Sequence, residues 1–406
     1  METKENKKPC IGIDVSKGCS HFRCFLSGGE PYGGVHFINH DKEGFKEIVS
    51  CSEEIEKLKG HKPVIVFENT GTYSECLITF CEKNKFIYYC IPPLLSAKQR
   101  KECIRPTKTD AIDCTTIANV YYTKRIRASK ASNPILIKLK KLCSYHLYNL
   151  SILRSLKVKY RELLDILYPR IDLLFDPYSD SCLELVSKYP NPYKLKTKSV
   201  KELFDFFSKI QYVGRAKAEK NALCIKEYFK HMVFTVEEND QFIDLFSIHT
   251  KKLIQHIKDC KLMEEQIINL GMHTELFKYI LTIPGISKET ASRIAAEIQD
   301  IDRFESKEKF VAYIGIDPMV HQSGKMNGLH LPIAKKGNTR LRSLLYLVVA
   351  GTSKSKALIN PIRDFTNKKK SDGLAPKQAI IAGCNKLARI IFAVCSKREP
   401  FNYNQV

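Results

Sequence analysis

Ile11-Gly-Ile-Asp-Val-Ser16 is a short apolar run broken by one carboxylate, Asp14, and followed by a turn at Gly18. Outward from it, strands are predicted over residues 10–15, 21–26 and 35–38, separated by Gly18 and by Ser27-Gly-Gly29, which let the chain reverse. Three short strands joined by tight turns form an antiparallel meander. Beyond them the spacing predicts a charged helix over 42–58, a strand over 64–67, a helix over 73–83, a strand over 86–91 and a helix over 109–122.

The resulting order, β-β-β-α-β-α-β-α, is that of an RNase H-like fold, and it orders the acidic residues. Asp14 lies on the first strand and Glu68 ends Val64-Ile-Val-Phe-Glu68, the fourth. Asp110 and Asp113, in Lys108-Thr-Asp-Ala-Ile-Asp113, share one face of the last helix through their i, i+3 spacing. Four carboxylates brought together repel one another; two hard cations remove that repulsion and hold the attacking and leaving oxygens of a phosphodiester. The four are therefore expected to form a divalent-metal site. Taken singly, each is as readily a helix cap or a solvated charge, and the placement of all four singles them out.

From residue 133 the pattern becomes long helical periodicity. Leu139, Leu142, Leu150, Leu153, Leu156, Tyr160, Leu163 and Leu167 lie on one stripe, interrupted near His146. Phe242, Leu245, Leu253, Ile257, Cys260, Met263, Ile267 and Leu270 form a second, so the two segments are expected to pair as an antiparallel coiled-coil stalk, within or between chains, or as ordinary bundle helices. Residues 169–238 read as a small helical insert. In Leu281-Thr-Ile-Pro-Gly-Ile-Ser287 a Pro-Gly turn precedes a helix capped by Ser287, like a helix-hairpin-helix that grips phosphate by backbone N–H groups, or like a plain turn between core helices. The expected domains are 1–130, an α/β catalytic domain, 131–275, the stalk with its insert, and 276–406, a mostly helical domain.

A chain of 406 residues implies two or three domains. Its net charge of +22, from 66 Lys and Arg against 44 Asp and Glu, favours a polyanionic partner such as nucleic acid. The 15 cysteines, an odd number without a C-x-x-C pair, argue against both a disulfide framework and structural zinc and for a reducing cytoplasm. The N-terminus has no apolar signal core and the longest apolar run, near 344–350, is too short to span a bilayer, so no membrane association is expected.

Three further motifs follow: Tyr313-Ile-Gly-Ile-Asp-Pro318, His321-Gln-Ser-Gly-Lys325 and Ile333-Ala-Lys-Lys-Gly-Asn-Thr-Arg-Leu-Arg342. Together with Gly12-Ile-Asp-Val-Ser-Lys17, Phe67-Glu-Asn-Thr-Gly71, the Lys-Thr-Asp-Ala-Ile-Asp segment and Ile283-Pro-Gly-Ile286, the Gln-Ser-Gly-Lys and Lys-Lys-Gly-Asn-Thr-Arg-Leu-Arg motifs make the chain resemble, over nearly its whole length, a transposase of the insertion-sequence 110 family, which includes the Piv-type DNA invertases. The resemblance implies a RuvC-like domain in which Asp14, Glu68, Asp110 and Asp113 hold Mg2+, with Mn2+ able to replace it. It also implies that Ser323 is the nucleophile that forms a covalent 5′-phosphoserine link to DNA. The partners it implies are donor and target double-stranded DNA and a structured bridge RNA whose loops pair with both. Lys325, Lys335, Lys336, Arg340 and Arg342 are then expected to contact nucleic-acid phosphates. Bringing two duplexes together implies a dimer, and a tetramer on paired DNA. The competing readings are a RuvC-like nuclease that hydrolyses junctions with water, and a non-catalytic nucleic-acid-binding scaffold whose carboxylates are structural.

Overall fold

The computed structural model describes residues 7–101, 109–124, 126–129, 133–317, 322–323, 326–327, 333–352 and 360–403. It is a mixed α/β protein, mostly helical, and it divides into two compact units, Met1–Ala131 and Ser132–Val406.

The first unit is built on strands β1 (Cys10–Val15), β2 (Cys19–Phe25), β3 (Pro31–Asn39), β4 (Val64–Glu68) and β5 (Tyr88–Ile91), in the spatial order β3-β2-β1-β4-β5. The meander β1-β2-β3 is antiparallel, and β1-β4 and β4-β5 are parallel. Helices α1 (Lys42–Lys59), α2 (Glu75–Lys83), α3 (Pro93–Lys101) and α4 (Asp110–Thr123) complete it. Because strand side chains alternate between faces, the sheet has two cores. Ile11, Ile13, Ile65 and Phe67 pack with Ile48, Ile55, Leu77 and Phe80 of α1 and α2. Cys10, Val64, Val66 and Ile91 pack with Ile117, Ala118 and Tyr121 of α4. The expected element order is present. Two details differ: β3 is longer than 35–38, because its outward positions are exposed and carry no apolar alternation, and α3 has no counterpart among the predicted helices. Its sequence, Pro-Leu-Leu-Ser-Ala-Lys-Gln-Arg-Lys, shows little apolar periodicity, and Leu94 is exposed.

In the second unit α5 (Pro134–Leu167) precedes the insert helices α6 (Asp180–Lys188), α7 (Pro192–Lys196), α8 (Val200–Phe207) and α9 (Arg215–His231), and α10 (Gln241–Met272) returns. His249 and His256 of α10 bond the carbonyls of Leu156 and Asn149, both at 3.0 Å, so rising numbers on one helix meet falling numbers on the other and the pair is antiparallel within one chain. At one end Leu156, Tyr160, Leu163, Phe246 and Leu253 share a core with the insert; at the other Leu139, Cys143 and Ile267 pack on Ala296. The α10 stripe holds at Leu253, Cys260 and Ile267, which are buried, and departs from the expected one only in the first turns, where Phe242 and Leu245 are exposed and Ile243 and Phe246 face the insert instead.

The chain then forms α11 (Glu275–Leu281), α12 (Lys288–Ile298) and α13 (Lys307–Ile314). The short paired strands β6 (Gln322–Ser323) and β7 (Met326–Asn327) follow, then α14 (Thr339–Thr352), α15 (Pro361–Ser371) and α16 (Pro376–Lys397). Ser287 caps α12 by accepting a bond from Thr290 N, as its position implied. Every α12 residue from Ala291 to Ile298 is buried, so this helix is the axis of a bundle. By length and composition α16 is apolar enough to cross a membrane, which the run near 344–350 is not. Its inner face, Cys384, Leu387, Ala388, Ile391 and Cys395, packs in the bundle core, which accounts for that apolarity.

Candidate carboxylate site and serine segment

Strand alternation puts Asp14 and Glu68 on one face of the sheet. Cys10 and Val64, Val66 point towards α4, so the same parity carries Gly12, Asp14 and Glu68 to that side. The β1–β4 register pairs Cys10 with Val64 and ends at Ile13 with Phe67, so Asp14 and Glu68 are the residues that follow its last pair on the two neighbouring parallel strands.

Helix α4 is seated against that face at Gly12. A Cβ there would stand 2.6 Å from the Cys114 carbonyl oxygen and 3.3 Å from Ala118 Cβ, so only glycine lets the helix come this close. The close approach brings the first turn of α4, with Asp110 and Asp113, alongside Asp14. Thr109 caps the helix by accepting a bond from Ile112 N, and the positive helix end favours both carboxylates. Asp113 is buried and Asp110 exposed. The convergence registers on Cys114: burial pushes its thiol up to about 12, and the charges of Asp14, Asp110 and Asp113 add to that shift.

Two side chains not singled out in the sequence border the carboxylates. His21, the β2 residue paired with Asp14, places Nε2 3.4 Å from Asp110 Oδ2, with its ring against Phe37 at 5.1 Å. Ser96, fully buried on α3, donates from Oγ to Glu68 Oε2 at 2.5 Å. The only hint of Ser96 is a lone Ser after Pro-Leu-Leu, too common to read. As donors, four carboxylates are an all-oxygen hard set that suits Mg2+ or Mn2+. Among the described residues, no three His, Cys, Asp or Glu side chains are drawn as close together as a metal centre requires. The four thus share a face without closing on a common point, and their fit to a metal rests on donor chemistry and placement.

In the second unit, Ser323 of β6 is paired with Met326 of β7; its side chain, and Lys325, lie outside the described residues. The segment 334–338 is zipped onto the corner after α13: Ala334 N donates to Asp317 O, Lys335 N to Gly315 O and Asn338 N to Tyr313 O. Gly337 is required there, since a Cβ would stand 2.4 Å from Tyr313 O. Lys335 and Lys336 are exposed. Arg342 donates to Ile314 O, capping α13, and to Thr339 Oγ1, while Arg340 donates to Ser144 Oγ. Both arginines thus have work inside the fold. Glu297, missed in the sequence, is the buried hub: Asn338 Nδ2 donates to it at 2.9 Å, and Lys140 and Arg340 lie 3.8 Å from its oxygens.

Residues 11–169 match a family model described as a transposase, of the DEDD type of IS110 elements, and residues 278–363 match the family described as Transposase IS116/IS110/IS902. The transposase for insertion sequence element IS1111A of Coxiella burnetii is 31% identical over 34% of this chain and 38% of its own length. The pilin gene-inverting protein of Moraxella lacunata is 28% identical over 44% of this chain and 56% of its own. The insertion element IS116 uncharacterized 44.8 kDa protein of Streptomyces clavuligerus is 23% identical over 96% of this chain and 95% of its own. The chain therefore spans about two fifths and rather over half of the first two relatives and nearly all of the third.

Proposed function

Since this chain belongs to the insertion-sequence 110 transposase family, we propose that it is a DNA recombinase that cuts, exchanges and rejoins strands through a phosphoserine intermediate. The observation that carries the reading is the meeting of Asp14 and Glu68 at equivalent positions of adjacent parallel strands, under the helix turn that bears Asp110 and Asp113. Nothing in strand packing asks for two carboxylates side by side; phosphodiester chemistry does. This is the RNase H-like arrangement of a RuvC-like domain, and its expected ion is Mg2+ or Mn2+. When bound, the ion offsets the carboxylate charges and the charge that develops on the reacting phosphate.

In this reading Ser323 Oγ attacks the phosphorus. The bond to the 3′ oxygen breaks, the serine proton is lost, and the 3′ oxygen leaves as a hydroxyl after gaining a proton. One phosphorus–oxygen bond replaces another, so a 3′ hydroxyl from a second strand reverses the step without ATP. Asp14, Glu68, Asp110 and Asp113 hold the ion, and Lys335 and Lys336, both exposed, contact phosphate. The relatives named as transposases and the one named as gene-inverting bring DNA as substrate. A structured bridge RNA supplies sequence choice, and the active assembly is a dimer that pairs into a tetramer on DNA.

A plasmid recombination assay with co-purified RNA tests this. Recombination should require added Mg2+ or Mn2+ and be lost on chelation, and the co-purifying RNA should contain segments complementary to the recombined sites. Metal-independent binding without cleavage of any DNA substrate would reject the reading in favour of a scaffold.

A further inference from the structure

The outer face of α16 lines a cleft of about 520 Å³, whose described lining residues include neither Lys335 nor Lys336. Lys386, Arg389, Ala393 and Lys397 recur at three- and four-residue steps and so stand on one face of the helix. Lys307, at the start of α13, adds a fourth cation, and among the described residues Glu399 is the one acidic residue lining the cleft. Bonds from its own backbone N–H and from Ser306, and then the charges of Lys307 and Arg389, hold the Glu308 carboxyl below its usual range.

The far wall is the chain after the helix, and it is fixed. Arg398, in the left-handed conformation at φ 55°, donates to Glu275 at 3.0 Å and to Asp302 at 2.7 Å, and Phe401 N donates to Thr282 Oγ1 at 2.8 Å. These ties bring Pro400 and Phe401 back over Ile390 and Val394, giving the cleft an apolar floor. Arg389 is pinned too, its Nε bonded to Asn385 Oδ1 at 2.9 Å, a bond that does not use its terminal nitrogens.

Cations along one rim above an aromatic and aliphatic floor match a ligand with a charged edge and a flat apolar face. We propose that this cleft holds an unpaired nucleotide of a single-stranded nucleic acid, its base on the floor beside Phe401 and its phosphates along Lys386, Arg389 and Lys397. The volume is that of a small-ligand site, and stacking on an aromatic ring with phosphate contacts alongside is how unpaired strands are held. A duplex buries its base faces and gains nothing from the floor. An acidic peptide satisfies the cations and leaves the floor uncovered.

The inference adds a binding site to the partners of the proposed recombinase and does not depend on its carboxylates. The full-length protein is titrated with labelled oligouridylate, oligothymidylate, a duplex of mixed sequence and polyglutamate over a range of salt. Neutralising the rim, K386Q/R389Q/K397Q, should weaken single-strand binding at least about tenfold and reduce its salt slope by about 2, at roughly 0.7 per phosphate. Phe401→Ala should weaken it about tenfold with the slope unchanged, because the floor carries no charge. Asp14→Ala should bind as the wild type, which separates failure of this site from failure of the proposed chemistry. Tighter binding of oligouridylate assigns the cleft to a guide strand, and tighter binding of oligothymidylate to a displaced DNA strand; either supports it. Equal losses on duplex or polyglutamate, or no effect of Phe401→Ala in a protein that melts normally, would overturn it. If Phe401→Ala fails to fold, the rim variant and its slope decide alone.

Discussion

Glu68 and Glu297 each accept a hydrogen bond from a neutral side chain, Ser96 at 2.5 Å and Asn338 at 2.9 Å, yet their settings are opposite. Glu297 is 5% exposed and lies between Lys140 and Arg340, so the chain's own cations meet its charge, and through it α5, α12 and the start of α14 are tied together. Glu68 ends β4, and Asp14 is the β1 residue at the equivalent position, one step past the last pair of their ladder. The first arrangement holds a fold. The second sets two carboxylates at neighbouring strand positions, the placement on which the proposed metal site rests.

The comparison breaks first at Asp14. Asp14→Ala should lower recombination by at least about a thousandfold while changing DNA affinity little, because binding rests on the Lys and Arg excess. Parallel recombination and mobility-shift assays check this; a near-normal rate would remove the carboxylates from the chemistry. Next comes Glu297→Ala, which removes the acceptor of Asn338 while Lys140 and Arg340, 38% and 45% exposed, keep water. It should cost about 1–3 kcal/mol, the range for leaving a buried polar group unsatisfied, measured by urea unfolding. Glu297→Gln, which keeps an acceptor for Asn338, should cost less. A third variant, Ser96→Ala, frees Glu68 from its orienting bond and should lower metal affinity by about 10–100-fold by calorimetry with the fold retained. An unchanged affinity would reduce Ser96 to packing.

Most of the first unit was legible because its signals are local. A two-residue period sorts Ile11, Ile13 from Gly12, Asp14, and the i, i+3 pair Asp110 and Asp113 needs only a helix. Ser96 and His21 were not legible. Each acts through one contact made by long-range folding, α3 onto β4 and β2 onto α4, and a single Ser or His has no pattern. The same holds for Glu297, whose partners lie 41 and 157 residues away in sequence. In α10 the stripe through Leu253, Cys260 and Ile267 was legible, but its first turns were not, because the insert that covers Ile243 and Phe246 sets which face is inside there. Arg340 and Arg342, read as phosphate contacts, also make bridging and capping bonds inside the fold that no local pattern showed.

The smallest expected effect concerns the antiparallel pair. His146 is fully buried, and Arg293 donates to its Nδ1 at 2.6 Å, which leaves the ring neutral with its proton on Nε2. Burial first, and Arg293 next, hold its pKa below the usual 6.5. The unfolded chain then binds the proton first, so stability is full above pH 6.5 and declines as pH falls below it. Glu264, 3.5 Å from Nε2, is pushed up by burial and by Glu289, which favours the fold in the opposite, acidic direction. Melting curves of His146→Gln should lose the decline just below pH 6.5; an unchanged profile would place the titration elsewhere.

The central claim is covalent strand cleavage through Ser323 at the bidding of the carboxylates, and the direct measurement is a denaturing gel of the protein on end-labelled DNA, followed by mass spectrometry of the retained peptide. The account predicts an Mg2+-dependent protein–DNA adduct in the wild type, a phosphorylated Ser323, and no adduct in Ser323→Ala or Asp14→Ala. Cleaved DNA that runs free of protein in the wild type, or an adduct that persists in Ser323→Ala, would contradict it and point to hydrolysis by water.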